Sequence, residues 1–340
     1  MNLRRRGANR IGSVGAVLFF ALATIGAVQF LRPQGAMATA PLAQLTGAVS
    51  PARALPPSAS PTLDAFGRSG AVKVRLALPS ERVEFPIAIA GGGDSLSYQW
   101  VSATDSSSVE PARVLTAAPT IAPARPGLYR LAVIRGAARE VLSEPTLAVM
   151  VPFSRKLGDQ LNGYRIGWYL SERLGSGHDR PAGFIEVRPE MLDLQITKHL
   201  KLADFVTRDD QGDVWPKYVA LNPRLLDKLE LIFADLGSRV RPGLAVDMRS
   251  GFRSPSHNAR VENAARDSRH QYGDAADLAV DADGDGRITM TDELLVMLAV
   301  ERVEEKHPDL VGGLGLYTSQ RFRNPYVHID ARGKRSRWQG

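Results

Sequence analysis

The apolar positions fall into blocks with different periods. From Ile11 to Leu31 no charge interrupts the run; Arg4, Arg5, Arg6 and Arg10 precede it, and Arg32-Pro33 ends it. About 20 such residues span a bilayer, and basic residues on the N-terminal flank keep that flank cytoplasmic. Ala36, Ala38 and Ala40 offer small-residue cleavage sites. Residues 1–32 therefore read as a signal or a retained membrane anchor, with the rest of the chain outside the cytoplasm. Residues 33–68 hold Pro41, Pro51, Pro56, Pro57 and Pro61 among Ala and Ser. Such a composition buries little apolar surface and predicts a linker.

Over 69–152 the period drops to two. Val72–Leu76, Ser97–Val101, Leu128–Val133 and Leu147–Val151 alternate as half-buried strands do. Gly91-Gly92-Gly93-Asp94 and Pro126-Gly127 mark turns between them. Short strands at this spacing predict a small all-β sandwich. The run Pro126-Gly127-Leu128-Tyr129-Arg130-Leu131-Ala132-Val133 is similar to the tyrosine-bearing late strand of immunoglobulin-like domains, with Trp100 and Tyr129 as core residues. The default role for this module is that of a spacer or wall contact.

Residues 153–340 mix periods, as an α+β domain does. Gly163–Tyr169 and Phe184–Val187 are strand-like. Asn222-Pro223 opens a helix over 224–236, with Leu225, Leu226, Leu229, Ile232, Phe233 and Leu236 on one stripe and Gly237 as its stop. Ala245–Ser250 predicts a strand that enters a turn and a helix, Ala276–Val280 another strand, and 292–306 a helix with Leu294, Leu295, Leu298 and Val303 on its buried side.

With 340 residues, the chain is long enough for about two domains. The net charge of +7 suits an anionic wall polymer or membrane surface. No aromatic-basic array or nucleic-acid motif accompanies it, so no nucleic-acid partner is expected. There is no cysteine, so any metal must be held by His, Asp or Glu.

Three such residues stand out. His270 and Asp277 are separated by a segment containing Gly273, and His328 lies in Tyr326-Val327-His328-Ile329-Asp330. Two imidazoles and one carboxylate make a catalytic zinc set with one position left for water. A glycine at 273 allows a sharp turn that can return Asp277 toward His270. The other histidines have plainer readings: His257 caps or lines a helix start, His178 and His199 pack or lie at the surface, and His307 ends a helix.

Ser250-Gly251-Phe252-Arg253-Ser254-Pro255, then Ser268 through Asp277, then Tyr326 through Arg332, occur in that order. Together they resemble the three signatures of the M15 peptidases, zinc D-alanyl-D-alanine carboxypeptidases and murein endopeptidases. The resemblance covers roughly 190–340. It implies a small α+β domain with a mixed or antiparallel sheet and helices on one side. It implies His270, Asp277 and His328 as zinc ligands, Arg253 facing the substrate carbonyl or a terminal carboxylate, and Ser268 beside the bound substrate. Several relatives place Glu or Asp three residues before the third ligand, where this chain has Pro325. Asp330, two residues after His328 on a strand, points the same way. It takes the proton from water, orients His328, or has no role.

Asp281-Ala282-Asp283-Gly284-Asp285-Gly286-Arg287-Ile288-Thr289-Met290-Thr291-Asp292 fits a twelve-residue calcium loop. Asp281, Asp283 and Asp285 would be ligands through carboxylates, Arg287 through its carbonyl and Asp292 at the twelfth position. Because Asp277 and Asp281 share one short segment, a calcium ion here would stiffen the zinc site.

The sequence thus leads to an exported enzyme of the periplasm or cell envelope, possessing zinc and a calcium loop. It would cut peptide bonds in peptidoglycan stem peptides or cross-links. If its N-terminal helix is uncleaved, it is held at the inner membrane. The alternative is a peptidoglycan-binding protein that keeps the zinc fold without catalysis.

Overall fold

The computed structural model describes residues 49–51, 67–83, 87–89, 96–107, 109–115, 120–238, 244–318 and 325–340. The apolar segment Ile11–Leu31, expected to be a signal or transmembrane helix, lies outside them. Among the described residues no helix is long and apolar enough to cross a membrane. Within the expected linker, Val49–Pro51 forms a short strand paired with Ile87–Ile89.

The first part of the structure is all β. Strands β1 (Val74–Ala77), β2 (Ser97–Ser102), β3 (Gly127–Arg135), β4 (Ala138–Val141) and β5 (Thr146–Val149) share one sheet in which β5 lies between β1 and β3. A separate pair joins Arg82–Val83 to Thr120–Ile121. Trp100, Leu131, Leu147 and Val133 fill the core between them. The polar ends of the aromatics find carbonyls: Trp100 Nε1 donates to Ile121 O at 2.7 Å, and Tyr129 Oη to Arg125 O at 2.8 Å.

This module is fused to the C-terminal part of the chain. Val74, Leu128, Ala148 and Met150 belong to the same apolar cluster as the C-terminal core. Lys73 N donates to Ile196 O, and Lys198 N donates to Ala71 O, each at 2.9 Å. Arg68 N and Ser69 N both donate to the Asp227 carboxylate. A module sharing a core and main-chain hydrogen bonds with its neighbour does not swing freely.

The C-terminal part is α+β. It contains β6 (Val151–Pro152), β7 (Gly183–Val187), β8 (Lys217–Val219), α1 (Pro223–Gly237), β9 (Ala245–Ser250), β10 (Ala275–Asp281), α2 (Met290–Lys306), β11 (Gly313–Tyr317), β12 (Tyr326–Asp330) and β13 (Ser336–Gln339). Five strands form a mixed sheet in the order β9-β10-β12-β11-β13, antiparallel except for β11 with β13. The strand-like reading of 163–169 narrows to Tyr164–Arg165, paired with Gln160–Leu161.

Alternation gives the sheet two distinct faces. Ala276, Leu278, Val280, Val327 and Ile329 join Val296, Val300 and Val303 of α2 and the apolar stripe of α1 in the core. Asp277 and His328, paired in register, take the other face. Asn222 caps α1 through its side chain, which accepts from Arg224 N.

The expected buried side of α2 needs correction. Val296, Ala299, Val300 and Val303 are buried, whereas Leu294 and Leu298 are exposed. Leu294 and Leu298 are four apart and share a stripe, but Asp292 and Glu293 are drawn inward and rotate that stripe to solvent.

Candidate metal centre

His270 sits in a one-turn 3-10 segment, Arg269–Tyr272, that ends at Gly273 with φ +70. A side chain at 273 would strike the Ala220 carbonyl, so the turn requires glycine on two counts. The chain then enters β10, whose third residue is Asp277; His328 is opposite it on β12.

The three residues converge. His270 Nε2 lies 3.1 Å from Asp277 Oδ1 and 3.2 Å from His328 Nδ1, and His328 Nδ1 lies 2.9 Å from Asp277 Oδ1. All three side chains are buried. Zinc bond lengths of about 2.0–2.2 Å separate tetrahedral ligands by about 3.3–3.5 Å. The observed triangle is close to that spacing, and the donor set suits zinc.

The outer atoms fix which nitrogen faces inward. His270 Nδ1 is 2.8 Å from the Gly251 carbonyl, so Nδ1 carries the proton and Nε2 is free as a ligand. His328 Nε2 is 3.2 Å from Asp330 Oδ2, which leaves Nδ1 for the ion. Arg253 Nη2 donates to Asp277 Oδ2 at 3.0 Å, on the oxygen opposite the triangle. Ser268 opens the turn that carries His270 and is buried.

Asp330 is fully buried. Its oxygens accept from His328, from Gly313 N at 2.7 Å, and from Arg332 through the main chain and the guanidinium. It sits behind the His328 ring, on the nitrogen facing away from Asp277. Of the roles considered for it, this geometry fits orienting His328 and does not fit taking a proton at the triangle.

Charge follows this network. Burial lowers the His270 pKa, with Asp277 opposing. Burial also disfavours charge on His328, but hydrogen bonds to Asp277 and Asp330 raise its pKa overall. Burial pushes the Asp330 carboxyl up, yet hydrogen bonds from His328, Arg332 and Gly313 hold it well below the usual carboxylate range.

Residues 198–294 match the family model of Peptidase M15. Over those residues the chain is similar to the M15 peptidases. That match includes Arg253, Ser268, His270 and Asp277, while His328 lies beyond it and meets them through the pairing of β10 with β12. No curated protein and no solved structure matches the chain.

The acidic loop that follows β10 is only partly the arrangement expected for calcium. Oxygens of Asp281, Asp283 and Asp285 lie within 4.8 Å of one another. Asp292 is not with them. Its Oδ1 accepts from Ala282 N and Asp283 N, and its Oδ2 from Thr289 N and Oγ1. This buried carboxylate serves four donors of the loop and the start of α2. Arg287 N donates to Asp285 Oδ1. The family match speaks for zinc and does not extend to calcium.

Several residues around the metal centre had no assigned role in the sequence. Gly251 and Arg332 lie inside the three motifs, but only the fold shows what they hold. Gly313 and Lys228 carry no motif signal at all. Trp338 packs its ring 5.1 Å from the His328 ring, above Gly315, where any side chain would collide with the indole.

Proposed function

We propose that this protein is an exported zinc peptidase that hydrolyses peptide bonds in peptidoglycan stems or cross-links. The observation that carries the reading is the convergence of His270 Nε2, Asp277 Oδ1 and His328 Nδ1, each held from behind by a second residue. Zinc held there supplies charge that polarises a peptide carbonyl and acidifies water. Gly251 and Asp330 hold the two rings in the tautomers that present these atoms. Arg253 anchors Asp277 and keeps a planar set of donors beside the site, suited to an oxyanion or carboxylate. The basic flank and apolar run of the N-terminus support export to the periplasm or envelope, either cleaved or held at the inner membrane. The Tyr129 bond to Arg125 O and the buried Trp100 support an immunoglobulin-like sandwich for the β module. Sharing a core with the C-terminal part of the chain, it acts as a fixed arm toward the wall.

Pro325, at the position where several relatives carry an acid, favours a second reading: a protein that binds peptidoglycan without cutting it. Mass spectrometry of muropeptides separates the two. Purified murein is digested with zinc-loaded full-length protein and with His270→Ala. New stem-peptide ends produced only by the unaltered chain support the peptidase. Murein binding with zinc retained and no product supports the second reading.

A further inference from the structure

On its face of β12, His328 has Asp330 on one side and Tyr326 on the other, because residues two apart on a strand point the same way. Asp330 takes His328 Nε2. Nδ1, on the far side of the ring from that bond, joins the metal triangle. The triangle therefore lies on the Tyr326 side of the imidazole. The Tyr326 phenol also interacts electrostatically with Asp277 and with Arg253, which places it beside the same groups.

An aromatic row holds it there. Tyr326 pairs in register with Tyr317 of β11, and the two rings stack with centroids 4.5 Å apart and planes 5° apart. Tyr317 Oη accepts from Trp338 Nε1 at 3.1 Å, and the Trp338 ring packs against His328. Gly315, opposite His328, leaves the space that the indole fills. Tyr326 is half-buried, on the strand between Tyr317 and Asp277. The stack fixes its ring plane before any ligand arrives, and a donor already in place is worth more than one that must be recruited. Arg253 leaves part of that task open, since its Nε and Nη2 already donate to Ser250 Oγ and Nη2 also to Asp277.

We propose that Tyr326 is a catalytic residue that donates its phenolic O–H to the scissile carbonyl oxygen as water adds to the carbonyl carbon. The inference rests on the peptidase reading and names a further residue of that site. In this step a C–O bond to water forms, and the carbonyl π electrons move onto the oxygen that Tyr326 holds. The phenol keeps its proton throughout. The electron pair returns when the C–N bond breaks, and the amine leaves with the proton that water gave up.

Tyr326→Phe removes the hydroxyl and keeps the stack. Calorimetry on zinc-loaded full-length protein compares two uncleavable N-acetylated dialanine analogues. One carries a phosphinate in place of the amide, whose tetrahedral anionic oxygens copy the charged oxygen; the other has a CH2–CH2 link with no oxygen there. The substitution should weaken phosphinate binding at least about tenfold and leave the CH2–CH2 analogue unchanged. Zinc affinity, from competition with a fluorescent chelator, should stay the same. In peptide hydrolysis kcat should fall about 100-fold with KM unchanged. Equal phosphinate binding by the two proteins overturns the proposal, as does a phosphinate that the unaltered chain binds no better than the CH2–CH2 analogue. Equal loss for both analogues also overturns it and makes Tyr326 a stacking surface only; weakened zinc binding makes it a support for the metal. Failure of the peptidase reading looks different: phosphinate binding still depends on Tyr326, but murein yields no product.

Discussion

Lys228 Nζ donates a 2.7 Å hydrogen bond to the main-chain carbonyl of Asp330, the residue whose side chain holds His328. The lysine is buried on α1 and also meets Glu304 Oε1 of α2 at 2.7 Å. One ammonium group thus ties both core helices to the strand that presents the third metal-site residue.

Removing that ammonium leaves a buried carboxylate and a carbonyl without their shared donor. Lys228→Met should lower stability by about 3 kcal/mol, toward the lower end of the range for breaking a buried pair, because Glu304 keeps Arg337 and Gly312 N. Urea unfolding measures it. A loss under about 1 kcal/mol shows that the tie contributes little.

Asp330→Asn keeps the shape behind His328 but removes the charge. Zinc affinity should fall about 10–100-fold, as for other residues that support a metal-bound histidine. Activity should return at saturating zinc. Competition with a fluorescent chelator gives the affinity, and peptide hydrolysis at high zinc gives the activity. Activity that stays low with zinc fully bound makes Asp330 the proton acceptor instead.

Asp292→Ala exposes the difference between a cap and a calcium ligand. Its carboxylate serves Ala282 N, Asp283 N and Thr289. The substitution should cost about 2 kcal/mol, in the upper range for a lost cap. The loss should be the same in chelator and in millimolar calcium. A loss confined to calcium-containing buffer returns the loop to ion binding.

Glu293 is buried at 2% exposure. Desolvation raises its carboxyl from the ordinary 4.5 to about 7, the Tyr326 backbone opposing and Asp292 reinforcing. Its folded pKa lies above the unfolded one. Its contribution is therefore complete below about pH 4.5 and is lost as pH rises through about 7. Glu293→Gln should stabilise the protein at pH 8 by about 1–3 kcal/mol, with the gain shrinking toward pH 5. Denaturant midpoints at the two pH values check it. A pH-independent difference places the titration elsewhere.

Periodicity alone makes α1 legible, because six apolar residues fall on one stripe bounded by Asn222-Pro223 and Gly237. It fails for α2, where Leu294 and Leu298 have the spacing of a core face yet lie in solvent. Spacing says that residues share a stripe but not which way it turns; the inward pull of Asp292 and Glu293 decides that. The module at 69–152 reads as a spacer or wall contact for a similar reason. Strand alternation reveals a half-buried face, not that Val74 and Met150 bury themselves against another unit.

For the site, the amino-acid order alone determined which groups have the chemistry: two imidazoles, a carboxylate, an arginine, and a glycine that permits the turn after His270. Those properties belong to residue types and short-range backbone geometry, and so are written locally. Only the folded chain decided that His328 stands opposite Asp277, that Asp330 lies behind its ring, and that Tyr326 stacks on Tyr317 beside it. Such relations depend on strand pairing across long stretches of chain, which no local pattern encodes.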